Sequence, residues 1–282
     1  MTGVESAKPL AIVCGGGGLA LEAARLARES GREVFLVGIV GWASAEIEAF
    51  PHIWVRLGEV GKLFAALRER AIADLAIIGS VRRPELSDLW LDWGVIKRAR
   101  EIARLFRGGD DGLLNGVARL LELEGLRIVS PRDFAPQLFA PVGRIAGRAP
   151  NGAEEADIAF GGALLGALSP FDVGQGAVVA NARVLAVEAA EGTDAMLARV
   201  GQMRASGRLR LKGRAGVFVK AAKRGQDMRL DLPTVGPATI AAAASAELSG
   251  IAIAAGEVLI AERAAFTSAA EAAGLFVVGW AP

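Results

Sequence analysis

One cysteine, one histidine and no tyrosine occur among the 282 residues of this chain. A single thiol, Cys14, rules out an internal disulfide and fits a reducing compartment. Zinc sites built from cysteine and histidine are all but excluded, and any Ser-His-Asp or Cys-His arrangement would have to use His52. Its context, FPHIW, reads as a turn entering a strand, so His52 is expected to be structural. A metal would then need carboxylate and water ligands, which favours Mg²⁺ or Mn²⁺. Excess charge is also missing. The net charge is +1, so no basic surface points to a nucleic-acid partner. The first ten residues, MTGVESAKPL, lack the basic start and apolar stretch of a signal peptide. The longest apolar run, IAAAASAEL at 240–248, is too short to cross a bilayer. A cytoplasmic location is the expectation.

Apolar residues are plentiful, at 52% of the chain, and the mean hydropathy is +0.39. That supplies a core for one large domain or two ordinary ones. The first half alternates strand-like and helix-like runs: PLAIVC (9–14), LALEAARLARESG (19–31), REVFLVGI (32–39), GKLFAALRERA (61–71), DLAIIGS (74–80), DDGLLNGVARLLELEG (110–125) and LRIVS (126–130). Such alternation predicts a parallel sheet with helices on both faces. Residues 131–150 hold four prolines and two glycines with no period, and read as a linker. The later runs mix helices with GAVVA/RVLAVEA (176–180, 183–189) and IAIAAG/EVLIAER (251–263), both read as hairpins. The expectation is an α/β protein, with a Rossmann-like parallel-sheet domain over 1–130, the linker, and an α+β catalytic domain over 151–282.

Several stretches carry candidate chemistry. Gly15, Gly16, Gly17 and Gly18 follow a strand and open a helix, where backbone N–H groups and the helix dipole suit an anion. The spacing fits a dinucleotide loop if Ala20 serves as the third small residue. No acid closes the second strand to hold a ribose, so a phosphate or nucleoside contact is the better reading, with a plain tight turn as the alternative. Arg82 and Arg83 leave the third strand, where open parallel sheets bind ligands. Asp110 and Asp111 sit at a helix start, as caps or ligands. Gln175 lies in a glycine-flanked loop, and Glu188, Glu191, Thr193 and Asp194 crowd a strand end and helix start. Lys220, Lys223, Gln226, Asp227, Arg229, Asp231 and Thr234 follow along a strand and its exit. In an extended run 227, 229 and 231 share one side. That makes either an ion-pair ladder or a pocket whose cations hold phosphate and whose acids hold Mg²⁺.

GQGAVVA, VLAVEAAEGTDAML and KRGQDMRLDLPTVGPATI together resemble the UDP-2,3-diacylglucosamine pyrophosphatase family of lipid A biosynthesis, with the glycine loop, GKLFAALRER, GSVRRPEL and GGDDGLL in support. The resemblance covers nearly the whole chain in order. It implies two domains with the substrate between them, and hydrolysis of UDP-2,3-diacylglucosamine to 2,3-diacylglucosamine 1-phosphate and UMP with a divalent metal. The acid before Leu-Pro, here Asp231, matches one the family requires, and Thr193 and Asp194 match its EGTDAML segment. On this reading the catalytic acids are Asp231, Asp227 and Asp194, and the metal ligands Asp231, Asp194 and Glu188. Two departures stand out: Arg224-Gly225 where a proline-containing pair is common, and Asn181-Ala182-Arg183 where the hairpin turn usually carries glycine. A soluble enzyme collecting a lipid must approach the cytoplasmic membrane surface, and a homodimer is a further expectation. The alternatives are an NAD(P)-binding oxidoreductase and a non-catalytic nucleotide-sugar binder.

Overall fold

Leu10, Ala11 and Ile12 are fully buried, as expected of a strand covered on both faces. They belong to β1 (Leu10–Cys14) in a computed structural model that describes residues 8–81 and 110–282. The chain divides into two compact units, Met1–Pro136 with Asp227–Asp231, and Gln137–Gln226 with Leu232–Pro282.

In the first unit β1 is followed by α1 (Leu19–Glu29), β2 (Val34–Ile39), β3 (His52–Val55), α2 (Val60–Glu69), β4 (Asp74–Ile78), α3 (Asp110–Leu123) and β5 (Arg127–Ile128). All five strands are parallel, in the order β3-β2-β1-β4-β5. The order reverses at β1, and the crevice beyond the carboxyl ends of β1 and β4 is where such sheets bind ligands. At the opposite end, Asp74 is buried and accepts from Arg127 at 2.6 and 2.8 Å and from Arg32 at 2.7 Å. The paired guanidinium of Arg127, then that of Arg32, hold its carboxyl below the usual range against the opposing effect of burial.

The second unit comprises β6 (Gly143–Ala146), α4 (Gly152–Leu168), β7 (Gly176–Ala180), β8 (Arg183–Val187), α5 (Gly192–Ala205), β9 (Val217–Lys220), β10 (Thr234–Val235), α6 (Pro237–Ser245), β11 (Gly250–Ala254), β12 (Leu259–Ile260), α7 (Arg263–Ala272) and β13 (Phe276–Trp280). Its main sheet runs β6-β13-β11-β9-β7-β8. The centre, β9, β11 and β13, is parallel, and β6 and β7 flank it antiparallel. Phe218, Phe266, Phe276 and Met196 are fully buried in its core.

The α/β class holds, with a parallel first sheet and a mixed second one. The expected linker contains the boundary between the two units at Pro136 and Gln137, and is partly ordered. The stretch 131–150 holds two short 3-10 turns and β6, and Arg148 grips Glu154 at the start of α4 by two bonds of 2.6 and 2.7 Å. One local expectation fails. The segment 251–263 is no hairpin: β11 pairs in parallel with β9 and β13, and β12 with β10. The β7–β8 hairpin is present as expected.

Candidate active site

Gly15 and Gly16, the first two glycines of the first loop, are closely packed. A Cβ on Gly15 would stand 2.8 Å from the Gly79 carbonyl carbon and the Ser80 oxygen. Gly79 lies at φ +109°, and a Cβ there would meet Gly15 just as closely. The two turns are bridged by hydrogen bonds: Gly15 N–H donates to Ile78 O at 2.9 Å, Gly16 N–H to Ser80 O at 2.8 Å, and Ser80 N–H to Gly16 O at 3.1 Å. Those two glycine N–H groups are therefore engaged within the fold. Gly17, at φ +90°, and Gly18 are exposed at the start of α1. Beyond β2 come Val40 and Gly41, where a dinucleotide fold would carry a ribose acid. Cys14 is buried, which pushes its thiol up to about 12 and removes it as a nucleophile. His52 donates from Nδ1 to Phe50 O at 2.8 Å and sets its ring edgewise to Trp54, a structural role as expected.

The second glycine loop is built around a charge. Gly174 N–H donates to Glu188 O at 3.1 Å, and Glu188 N–H to Gly176 O at 2.8 Å. A Cβ on Gly174 would lie 2.6 Å from Glu188 Cγ, and one on Gly176 would lie 2.6 Å from Glu188 Oε2 and 2.7 Å from the Phe218 ring. Both glycines thus make room for the Glu188 side chain. That carboxylate accepts from Thr193 Oγ1 at 2.9 Å on Oε1 and faces Lys220 Nζ at 3.5 Å on Oε2. Lys220 also donates to Thr193 Oγ1 at 2.8 Å. Glu188 is 9% exposed and Lys220 4%, so the ions are removed from water and depend on each other. The sheet aligns this corner: Gly176 lies opposite Lys220, β8 delivers Glu188 just past its end, and α5 presents Thr193 in its first turn.

Beside it, Gln175 O accepts from Ala221 N–H at 3.0 Å, and Gln175 Nε2 donates to Gln226 Oε1 at 3.0 Å. The same Gln226 oxygen accepts from Lys223 N–H at 2.9 Å. Lys223 Nζ pairs with Asp172, which occupies a left-handed conformation at φ +52°. Asp172 was missed in the sequence because its partner lies 51 residues away. Glu257, also missed, accepts from Ala222 N–H at 3.3 Å.

The charged run 227–231 is a turn, not a strand. Leu230 and Asp231 N–H groups both donate back to Asp227 O, at 3.0 and 3.2 Å. The shared face expected for 227, 229 and 231 is thereby lost. Asp227 is absorbed in an ion pair with Arg229 at 2.7 Å, and Arg229 also reaches Glu122 at 2.8 Å. The Arg229 bonds hold Asp227 below the usual carboxylate range, and the pairing in turn raises Arg229. Leu230, 8% exposed, joins the first unit's core. Asp227 and Arg229 are thus partners in an ion pair, and Asp231 is half-buried. Asp194 is exposed on α5, and Thr234 is exposed with its hydroxyl donating to Leu232 O at 3.1 Å. Arg82 and Arg83 lie outside the described residues.

Among the described residues no three His, Cys, Asp or Glu side chains converge as metal ligands. Glu188 has each oxygen engaged, one by Thr193 and the other by Lys220. Within the second unit, Glu188 and the exposed Asp194 form no such group with a third acid. What the buried corner offers is a fixed ammonium group, oriented by a hydroxyl and a carboxylate.

Comparison with known proteins supplies a family. The LpxI N-terminal domain matches residues 9–138 and the LpxI C-terminal domain residues 141–278. A relative from Caulobacter vibrioides, "UDP-2,3-diacylglucosamine pyrophosphatase LpxI", is 38% identical over 275 residues, 98% of each chain. Among solved structures, a UDP-glucose-4-epimerase from Stenotrophomonas maltophila is 12% identical over 58% of this chain and 63% of its own, at a TM-score of 0.27, a likeness too slight to argue from. With both domain descriptions matched in order and a relative aligned nearly end to end, the chain belongs to the LpxI family.

Proposed function

We propose that the chain adds water across the pyrophosphate bond of UDP-2,3-diacylglucosamine, releasing 2,3-diacylglucosamine 1-phosphate and UMP in lipid A synthesis, at the cytoplasmic membrane surface. The observation that carries this is the 38% identity, over 98% of both chains, to an enzyme named for that activity. The chemistry of the second unit is in keeping with it. A pyrophosphate diester carries negative charge that repels an incoming nucleophile. Lys220, held by Glu188 and Thr193, is a preorganised cation of the kind that stabilises charge gathering on phosphate oxygens. Asp231 is assigned the acid role because it stands where the family resemblance places an acid. The single histidine is bonded to the backbone and Asp227 is paired with Arg229.

A requirement for Mg²⁺ or Mn²⁺ is proposed from the resemblance alone, and no step is routed through the ion, given the absence of a ready chelate among the described residues. Chelation with EDTA followed by dialysis is expected to abolish turnover, and Mg²⁺ or Mn²⁺ to restore it. Full activity after chelation removes the metal from the account. The decisive experiment incubates the purified chain with UDP-2,3-diacylglucosamine and identifies products by mass spectrometry. UMP and the glycolipid 1-phosphate are expected in equal amounts. Binding without turnover would leave a nucleotide-sugar binder in place of an enzyme.

A further inference from the structure

The second unit carries a recess of about 390 Å³ that plays no part in the cluster around Glu188. It lies where the β7–β8 turn meets the segment leaving α5, and is lined by Arg183, Arg208, Arg210, Leu185, Leu209 and Leu211. The segment reads RLRLKGR at 208–214, four cations and no acid. Its shape is set without side-chain bonds from Arg208 or Arg210 to a described residue. Leu209 is buried, and its N–H donates to Met203 O at 3.0 Å. Arg204, ion-paired with Glu247 at 2.6 Å, donates to Gly213 O and ties down the far end.

Arg183, Arg208 and Arg210 are exposed, and none makes an ion pair or side-chain hydrogen bond with a described residue. The acid under this turn, Asp157, is buried and uses both oxygens to accept from Asn181 and Ala182 N–H at 2.9 and 2.7 Å. Three like charges around one recess repel each other. Guanidinium forks match phosphate oxygens in pairs, so an anionic phosphate relieves the repulsion and satisfies the donors together. Leu185 and Leu211, half-buried, give the recess an apolar margin. The sheet register sets this site at the other end of β7 from the catalytic corner. Arg183 lies opposite Ala180 and Lys220 opposite Gly176, a separation of about 13 Å along the strand.

We propose that this recess docks the phosphate of an anionic phospholipid headgroup at a bilayer surface. The choice of a bilayer over a soluble phosphate rests on the proposed function, because a diacylated sugar nucleotide resides in a membrane. Among the described residues no helix is long and apolar enough to cross one. Paired arginines beside an apolar margin suit that interface. Docking here leaves the end of the sheet that holds Glu188, Thr193 and Lys220 uncovered.

The test is flotation of the full chain with phosphatidylcholine vesicles, with and without phosphatidylglycerol. The parent is expected to float only with phosphatidylglycerol, and less as salt rises. The triple variant R183Q/R208Q/R210Q is expected to lose about a hundredfold in partitioning. It should keep its melting temperature and its hydrolysis of detergent-dispersed UDP-2,3-diacylglucosamine. Should the triple variant unfold, Arg210→Gln alone is expected to lose about fivefold. A variant that floats like the parent overturns the proposal, as does a parent indifferent to phosphatidylglycerol. Stabilisation of the parent by inorganic phosphate without vesicle binding overturns it too, in favour of a soluble ligand. Flotation is read without turnover, so a parent that floats as expected but hydrolyses nothing would sink the activity and leave the docking site standing.

Discussion

The two glycine loops look alike in sequence and differ in what fills the space beside them. Gly15 and Gly16 face the backbone of Gly79 and Ser80, and their N–H groups close a bridge between two turns. Gly174 and Gly176 face the side chain of Glu188, a buried carboxylate paired with a buried ammonium. A missing Cβ against backbone is a requirement of the fold. A missing Cβ against a buried ion pair is a requirement of a charge arrangement, and that arrangement is where chemistry is expected.

The sharpest way to break this contrast is to remove the charge. Lys220→Met is expected to lower turnover by about 10³, the upper range for losing one preorganised electrostatic group. Asp231→Asn should lower it by about 10². Steady-state kinetics on variants shown folded by circular dichroism is the check. Near-parental turnover in Lys220→Met would return the corner to a purely structural role. Leaving Glu188 buried without its cation is destabilising. The double variant Lys220→Met/Glu188→Gln should therefore recover melting temperature without recovering turnover.

Alanine at each glycine sharpens the comparison further. Gly176→Ala pushes on Glu188 Oε2 and the Phe218 ring, and is expected to cost about 10² in turnover. Gly15→Ala presses two backbones apart, and is expected to cost roughly 3 kcal/mol of stability in denaturant titrations. Its turnover below the transition should stay within a few-fold of the parent. The reverse pattern, turnover lost at Gly15 and spared at Gly176, would move the chemistry to the first loop.

A smaller effect separates the first unit by acid. Asp74 is held low by Arg127 and Arg32, so its folded value lies below the usual carboxylate value of about 3.9. The stability it contributes is complete above that unfolded value and is lost as pH falls through the folded one. Asp74→Asn is therefore expected to lower the melting temperature at neutral pH and to flatten its decline between about pH 5 and 2. An equally steep decline in the variant would assign acid unfolding to other carboxylates, such as Glu154 in the second unit.

What the sequence made legible follows from range. The strand-helix alternation of the first unit is local periodicity, and the elements appear where it places them. Glu188, Thr193 and Lys220 stood out because charged groups gathered at strand and helix ends with more of them than capping needs. The partners of Gly15 and Gly16 lie about Gly79 and Ser80, and no local pattern announces them. The segment 251–263 looked like a hairpin because two short apolar runs flank Gly256. Its true neighbours, β9 and β13, compete from farther along the chain. Asp227, Arg229 and Asp231 share a face only in an extended chain, and the bonds back to Asp227 O replace that geometry with a turn.

The smallest expected effect concerns the β7–β8 turn, whose lack of glycine stood out in the sequence. A two-residue hairpin turn of this hand needs positive φ at both central residues. Asn181 has φ +52° and Ala182 φ +57°. Asparagine tolerates that region, and alanine does so at a cost of about 1–2 kcal/mol. The two N–H groups are held by Asp157 from α4, which offsets the strain. Ala182→Gly removes the strain but frees the unfolded chain by about 0.4–1 kcal/mol. The net expectation is a gain of about 0.5–1 kcal/mol, read as a rise of roughly 1–3 °C in melting temperature. The same substitution in an Asp157→Asn background should gain more if the carboxylate is what keeps the alanine turn in place. Equal gains in both backgrounds would show that the turn holds its shape without that acid.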